Sequence, residues 1–333
     1  MNKIKKAYNW FYSRNTIAAF LFLLIGASIV FADKNFLNAN NMVNILNKAA
    51  KNGGMLALGM TFVILIGEID LSVGAIYALS GVVMGLVGQV NPILGIIAGL
   101  MVGVIAGALI GFMNTKMRIS SWIASLAMSF AGRGLILILA KKSVPIKDPM
   151  LRFGGVKFFK GAIEAVPAGI SILIPILLVL TLVCMYVSRY SKFGMSLYAV
   201  GGNADAAKMM GIPVTKVKMK AFICCSVIAA FSGMLQASSS GSATLSAGNV
   251  YETYAIAMCA IGAVKLTGGE GKFSGTFFGI MIYFIINTIF TYLPSSITVH
   301  WQSIIMGILV LVSVSMQSEL IQNIKIGKKK AEL

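Results

Sequence analysis

Long runs of apolar residues, separated by short polar stretches, divide this chain from end to end. A helix needs about 20 apolar residues to cross about 30 Å of hydrocarbon, and most of the runs approach that length. We therefore predict an all-α fold: a polytopic transmembrane helical bundle of about ten helices in a single domain over residues 1–333. The predicted helices lie near residues 16–32, 54–67, 73–89, 93–113, 119–140, 170–188, 220–237, 252–266, 274–293 and 299–317.

Two of these segments, 54–67 and 252–266, are short for a full crossing. The stretch 54–89 has a second interpretation, one helix broken at its middle, which lowers the total to nine. The first run, 16–32, ends without a small-x-small cleavage site, so we predict a retained helix and not a signal peptide.

The composition supports membrane insertion over a soluble fold. Of the 333 residues, 58% are hydrophobic and 11% are charged, and the mean hydropathy is +0.87. A soluble domain carries about a quarter charged residues, and one globular core does not bury so large an apolar excess. The net charge of +18 comes mainly from short loops between apolar runs, which indicates membrane topology and not a nucleic-acid partner.

The positions of lysine and arginine predict the orientation. Most of them fall in alternate loops, which places both termini in the cytoplasm of a multi-pass protein of the bacterial cytoplasmic membrane. The stretches 33–53 and 141–169 then lie outside. Glycines at every fourth position predict a smooth face on one helix, against which another helix can pack backbone to backbone within the membrane lipid. They are Gly95, Gly99, Gly103, Gly107 and Gly111.

No constellation of residues indicates catalysis, a metal or a cofactor. His300 stands alone, and the cysteines lie in apolar segments without metal-ligand spacing, so reduced thiols are expected. The stretch from Thr267 to Lys272 faintly resembles a phosphate loop, but it has Leu266 for the first glycine and Phe273 for the magnesium-binding hydroxyl. The chain is therefore not expected to be an enzyme or to hydrolyse ATP itself.

A few polar residues lie where lipid is expected, which makes each a candidate for the translocation pathway. Glu68, Asp70 and Ser72 interrupt two apolar runs. Asp70 or Ser72 is expected to cap the following helix. Glu68 either has a functional role, lining the pathway or contacting a partner, or lies in a plain interfacial turn. Arg133 either pairs with a carboxylate, reaches the surface or contacts solute. Glu252 completes this set.

The loop 193–213 combines helix-capping and helix-ending residues in a short space. Asn203 is placed to cap a helix from about residue 204 to 210, and Gly211 and Pro213 end it. A short isolated helix at the cytoplasmic surface suits docking into a groove of a partner protein.

Here the sequence resembles the sugar-type permeases of bacterial ABC importers, which serve ribose, galactose, xylose and similar solutes. The resemblance extends to GEIDLSVG at 67–74, to Arg133-Gly134-Leu135, to Tyr251-Glu252 and to GGEGKFSGTFFG at 268–279. Glu68 and Tyr254 depart from that family's usual glycine and aspartate. In the loop, the matching residues are Gly202, Asn203, Ala206, Ala207, Gly211 and Ile212.

The resemblance implies a function, a mechanism and partners. The chain would be the membrane-spanning subunit that moves a small sugar or similar polar solute by alternating access. An ABC ATPase subunit would hydrolyse the ATP and receive the loop helix as a coupling helix, with Ala206 and Ala207 facing its groove. An extracytoplasmic solute-binding protein and a second permease, in a homodimer, would complete the unit. The alternative is an ion-coupled secondary transporter, which the few intramembrane carboxylates disfavour.

Overall fold

The computed structural model describes residue 36, residues 38–158 and 169–292, and single positions at 301, 304, 307, 308 and 311. The predicted helix 16–32 lies outside the described residues. The predicted helix 299–317 is described only at those five positions, and all five are helical.

The described part of the chain is a helical membrane bundle with very little sheet, as predicted from the apolar pattern. Five of its helices are long and apolar enough to cross a membrane. The helices are α1 (Ala39–Lys51), α2 (Gly54–Leu65), α3 (Val73–Val87), α4 (Pro92–Thr115), α5 (Ser121–Leu139), α6 (Leu173–Tyr190), α7 (Lys192–Gly202), α8 (Ala204–Met209), α9 (Val214–Ser240), α10 (Tyr251–Ile261) and α11 (Phe273–Tyr292).

Helix α9 is the centre of the bundle and packs against α2, α3 and α4. The glycine face of α4 packs closely on the backbone of α9. A methyl group at Gly107 would lie 2.7 Å from the Phe222 carbonyl oxygen, and one at Gly103 would lie 2.6 Å from the Ser226 carbonyl oxygen. The fourfold glycine spacing therefore serves close packing of backbones, as the sequence predicts.

The outer faces of α4, α5 and α6 expose large apolar side chains. Ile105, Phe130 and Leu182 are 53%, 71% and 62% exposed. Exposed apolar rows on long apolar helices are expected where lipid replaces water as the neighbour. These three helices therefore form the lipid-facing side of the described bundle.

Two half-length helices, α2 and α10, lie side by side and run in the same direction. Gly53 lies against Tyr251 at their beginnings, and further along the Cys259 thiol donates to the Ala57 carbonyl at 3.2 Å. Helices of this length rise about 18 Å, so each covers about half of a membrane. Both begin after a left-handed residue, Gly53 or Val250.

The stretch 54–89 is neither one helix nor a continuous crossing. Helices α2 and α3 are separate, and the non-helical segment 66–72 joins them. The predicted segment 252–266 likewise ends early, because the chain leaves the helix at Gly262 for a glycine-rich loop. The predicted segment 220–237 begins earlier, since α9 includes the lysines between 214 and 220.

The stretch 33–53, which was expected to be an outside loop, contains α1. Asn38 caps it by accepting from the Asn40 amide at 3.3 Å. Its buried residues include Ile45, Ala49 and Ala50, and it packs mainly on α11 and α6. Asparagines lower its mean hydropathy, which hid an amphipathic helix from a search for uniformly apolar runs.

Short strands fasten the loop after α5 to the bundle. Strand β1 (Val144–Pro145) pairs antiparallel with β4 (Ser242–Ala243), and β2 (Lys157–Phe158) with β3 (Ile170–Ser171). A 3-10 helix, Pro149–Gly155, lies between β1 and β2. The end of α9 and the loop after α5 are therefore held together at one end of the bundle.

Candidate functional site

The helix predicted in the loop 193–213 is present as α8 and is capped at both ends. The Asn203 side-chain oxygen accepts from the amides of Asp205 and Ala206 at 3.0 and 2.9 Å. Gly211 has φ +80°, a left-handed conformation that ends the helix without steric cost. We call the end of the molecule that carries α8 the α8 end, and the other the opposite end.

The two apolar surfaces of α8 have different surroundings. Ala207 is completely buried in the core of its own chain, whereas Met209 and Met210 are 84% and 69% exposed. The expectation that Ala206 and Ala207 face a partner is therefore wrong for Ala207, whose small side chain lets α8 sit close on the bundle. The methionine pair, which the sequence analysis did not single out, forms the outward surface.

A junction of glycines joins the end of α7, directly before α8, to the end of α2 and to the loop after α10. Its members are Gly67, Gly201, Gly202, Gly268 and Gly269, and we call it the glycine junction. The Gly269 amide donates to the Leu65 carbonyl at 3.0 Å. A methyl group at Gly201 would lie 1.8 Å from that same oxygen, so three chain segments meet here backbone to backbone.

The glycine junction gives a structural role to the stretch that faintly resembles a phosphate loop. Gly268 and Gly269 have φ of +90° and +76° and turn the chain against Gly67 and Gly201. The Tyr198 hydroxyl on α7 donates to the Gly271 carbonyl at 3.1 Å. Burial raises the pKa of Tyr198, so its phenol stays protonated and keeps this donor at neutral pH.

Glu68 lies at the α8 end and forms an ion pair with Lys218 in the first turns of α9. Both side chains are mostly buried, with 16% and 23% exposed. The carboxylate therefore fixes the turn after α2 to the central helix. Of the two interpretations that the sequence left open, this geometry favours the turn.

Reversing one charge of this pair is expected to destabilise the protein, and reversing both is expected to restore it. Glu68→Lys places two cations side by side, which should cost about 1 kcal/mol for a partly exposed pair. The double variant Glu68→Lys/Lys218→Glu should recover most of the loss in thermal unfolding temperature in detergent. Equal unfolding temperatures for Glu68→Lys and wild type would contradict a structural role for the pair.

Asp70 shapes the segment between α2 and α3 and does not cap the first turn of α3 as expected. One of its oxygens accepts from the Ser72 amide at 2.8 Å and from the Ser72 hydroxyl at 2.5 Å. Among the described residues, the other oxygen has no hydrogen-bond partner, and the Cys225 thiol lies close to the carboxylate. Asp70 and Ser72 are both fully buried.

The non-helical backbone of this segment is hydrogen-bonded by two hydroxyls from α5. The Ile69 amide donates to Ser121 at 3.3 Å and the Leu71 amide to Ser125 at 2.9 Å. Ser121 and Ser125 lie four residues apart on α5 and therefore on one face of the helix. They reach the amides of alternate residues, Ile69 and Leu71, which point to the same side where the backbone between them is extended. Non-helical backbone at membrane depth requires such partners.

Arg133 and Glu252 lie together near the beginnings of α3 and α10. The Arg133 guanidinium donates to the Ala247 carbonyl at 2.7 Å, in the loop that precedes α10. Glu252 lies within electrostatic range of Arg133 and beside Gly74. The structure thus brings these two predicted residues together and leaves Glu68 apart from them at the α8 end.

A polar cleft at the opposite end was not predicted from the sequence. It lies between α1 and α11 and encloses about 400 Å³. The described residues that line the cleft are Asn41, Asn44, Asn47, Lys48, Lys51, Asn52, Thr288 and Thr291.

Four tyrosine rings lie where α1 meets the half-length helices, and we call them the tyrosine cluster. They are Tyr77, Tyr251, Tyr254 and Tyr283, and the centroids of neighbouring rings are 5.3 to 6.1 Å apart.

Comparison with known proteins places the chain among importer permeases. Residues 41–314 match the model of the branched-chain amino acid transport system permease component family. The ribose import permease protein RbsC of Bacillus subtilis is 37% identical over 302 residues, which cover 90% of this chain and 91% of the relative.

Two further relatives show the same agreement over most of their length. The Escherichia coli K12 protein of the same name is 30% identical over 307 residues, 92% of this chain and 93% of the relative. The L-arabinose ABC transporter permease protein AraH of Azospirillum brasilense is 32% identical over 268 residues, 79% and 76% of the two chains. No solved structure matches this chain.

Proposed function

Because this chain belongs to the family of the branched-chain amino acid transport system permease component, we propose a route by which ATP hydrolysis in a partner moves sugar through it. The chain is the membrane-spanning permease subunit of an ABC importer for a small sugar or similar polar solute. The observation that carries the proposal is α8, a capped helix with an apolar outer surface, which follows directly on the glycines of α7 that contact the end of α2 and the loop after α10.

We assign the α8 end to the cytoplasm, where the ATPase subunit docks. Met209 and Met210 insert into a groove of that subunit, since exposed methionines adapt well to an apolar partner surface. Basic side chains concentrate at this end, and they favour the cytoplasmic side. They include Lys116, Arg118, Arg189, Lys192, Lys208, Lys216, Lys265 and Lys272.

The glycine junction transmits the movement of α8 into the membrane. Gly201 lies in the last turn of α7, directly before α8. The atoms that it contacts belong to the end of α2 and to the loop after α10. A displacement of α8 therefore pushes on both half-length helices, whose other ends lie beside the tyrosine cluster. Alternating access follows when this displacement opens the bundle first to the opposite end and then to the α8 end.

Two further subunits complete the proposed importer. A second copy of this chain forms the permease dimer, and a solute-binding protein delivers sugar at the opposite end. Both termini lie in the cytoplasm in this arrangement. The secondary-transporter alternative predicts none of these partners and no dependence on ATP.

We expect the permease to transport sugar only with its ATPase and only with ATP. Tagged permease is co-expressed with its ATPase and solute-binding protein, extracted mildly and reconstituted into vesicles. The expected results are ATPase co-purification and ATP-dependent uptake of radiolabelled ribose or arabinose, at least tenfold above background.

Three controls separate the alternatives in that experiment. An ATPase without its phosphate-loop lysine should abolish uptake, while an ionophore that removes proton and sodium gradients should leave it unchanged. Radiolabelled leucine serves as the amino-acid comparator. Uptake that needs the ion gradient and ignores ATP would contradict the importer, and ATP-driven leucine uptake without sugar uptake would contradict the sugar assignment.

A further inference from the structure

We infer that the polar cleft between α1 and α11 is a transient binding site for the transported solute, a small neutral polyhydroxylated molecule. This inference rests on the proposed function and names the place in the membrane domain where solute is held after its delivery. Nothing in the family resemblance assigns a role to α1.

The chemistry of the cleft matches hydroxyl groups. Each asparagine amide presents both a donor and an acceptor, which is the combination that neighbouring sugar hydroxyls require. Asn41, Asn44 and Asn47 recur every three residues and share one side of α1. Thr288 and Thr291 on α11 supply hydroxyls from across the cleft.

One lining group has a buried oxygen without a partner. Among the described residues, Asn47 Oδ1 is inaccessible to solvent and accepts no hydrogen bond. Leaving such a group unpaired is unfavourable, and a solute hydroxyl would supply the missing donor once the Asn47 side chain turned toward the cleft. Only 8% of Asn41 is exposed. Its Nδ2 donates to the Phe36 carbonyl at 2.8 Å, and this hydrogen bond holds the Asn41 side chain in place.

The two lysines argue against simple helix packing at this surface. Lys48 and Lys51 line the cleft, and no carboxylate is among the described lining residues. Cationic side chains without anionic partners are costly in a dry interface between membrane helices, so the cleft is hydrated. Lys48 Nζ also donates to Thr288 Oγ1 at 3.4 Å and so bridges α1 and α11.

The cleft leads to the half-length helices. The Lys51 carbonyl accepts from the Tyr77 hydroxyl at 3.0 Å, and Tyr77 packs on Tyr251 with the ring centroids 5.3 Å apart. Tyr77 is buried, but Tyr251 and Tyr254 are partly exposed, and a partly exposed tyrosine offers an apolar face and a hydroxyl to a sugar. A solute released from the cleft therefore meets the tyrosine cluster, at the place where the proposed ATP-driven movement arrives.

The test compares leucine substitutions inside and outside the cleft in the reconstituted importer. Asn44→Leu and Asn47→Leu should each lower uptake at least tenfold, for the sugar that the wild type transports, with ATPase co-purification and basal ATP hydrolysis unchanged. Asn40→Leu is the matched control, because Asn40 lies on α1 but does not line the cleft. It should transport like the wild type.

A labelling experiment decides the question even where a leucine variant fails to assemble. Asn44→Cys, in a background without the four native cysteines, is treated with a charged methanethiosulfonate in vesicles. Labelling should block uptake, and the transported sugar at high concentration should slow the labelling. Unchanged uptake after complete labelling would overturn the inference while leaving the proposed function intact. No uptake by the wild type would instead refute the proposed function.

Discussion

Gly201→Ala is expected to abolish sugar uptake while Gly202→Ala leaves it nearly normal. A methyl group at Gly201 would lie 1.8 Å from the Leu65 carbonyl oxygen and 2.5 Å from the Gly269 amide nitrogen. Both are backbone atoms at the glycine junction, so relief requires the segments to separate. A methyl group at Gly202 meets no atom within 4 Å.

The comparison is sharp because the two glycines are adjacent and end the same helix, α7. For Gly201→Ala we expect ATP hydrolysis by the assembled complex to persist but to lose its stimulation by sugar and binding protein. Uptake in vesicles and stimulated ATP hydrolysis are measured on the same preparations. Normal uptake by Gly201→Ala would show that the junction carries no movement.

The double variant Met209→Glu/Met210→Glu is expected to release the ATPase from the permease. The two side chains are largely exposed, so the free permease should fold normally. In the proposed contact, however, the new carboxylates would be buried without partners, at a cost of about 3 kcal/mol or more. That corresponds to a loss of affinity of about 100-fold or more.

Co-purification of the ATPase with tagged permease measures this loss, and thermal unfolding of the free permease checks the fold. Met150→Glu is a suitable control, because Met150 is 51% exposed and lies in the 3-10 helix after α5, remote from α8 in the chain. It should retain the ATPase. Full retention by the double variant would mean that α8 is not the docking surface.

Local signals in the sequence were sufficient to predict the position and the ends of helix α8. Asn203, Gly211 and Pro213 lie within one short stretch, and each acts on the backbone next to it, so no distant contact is needed. The apolar runs likewise predicted the membrane fold, because lipid imposes one requirement along the whole length of a helix.

Contacts between distant segments account for what the sequence did not reveal. Arg133 donates to a loop more than 100 positions later, at Ala247, and Lys218 pairs with Glu68 across 150 positions. No local pattern specifies either pairing. Helix α1 did carry a signal, the asparagines every three residues, but a search for apolar runs passes over a polar stripe.

The parallel arrangement of α2 and α10 also bears on the membrane's electrochemical gradient. Each helix directs the positive end of its dipole toward the four tyrosines, close to Lys51 and Arg133, and among the described residues Glu252 offsets only part of this charge. A hydrated passage for sugar would otherwise leak protons, Na⁺ and K⁺ down their gradients. Positive half-helix ends repel such cations, so the bundle can admit a neutral solute without discharging the cell's proton-motive force.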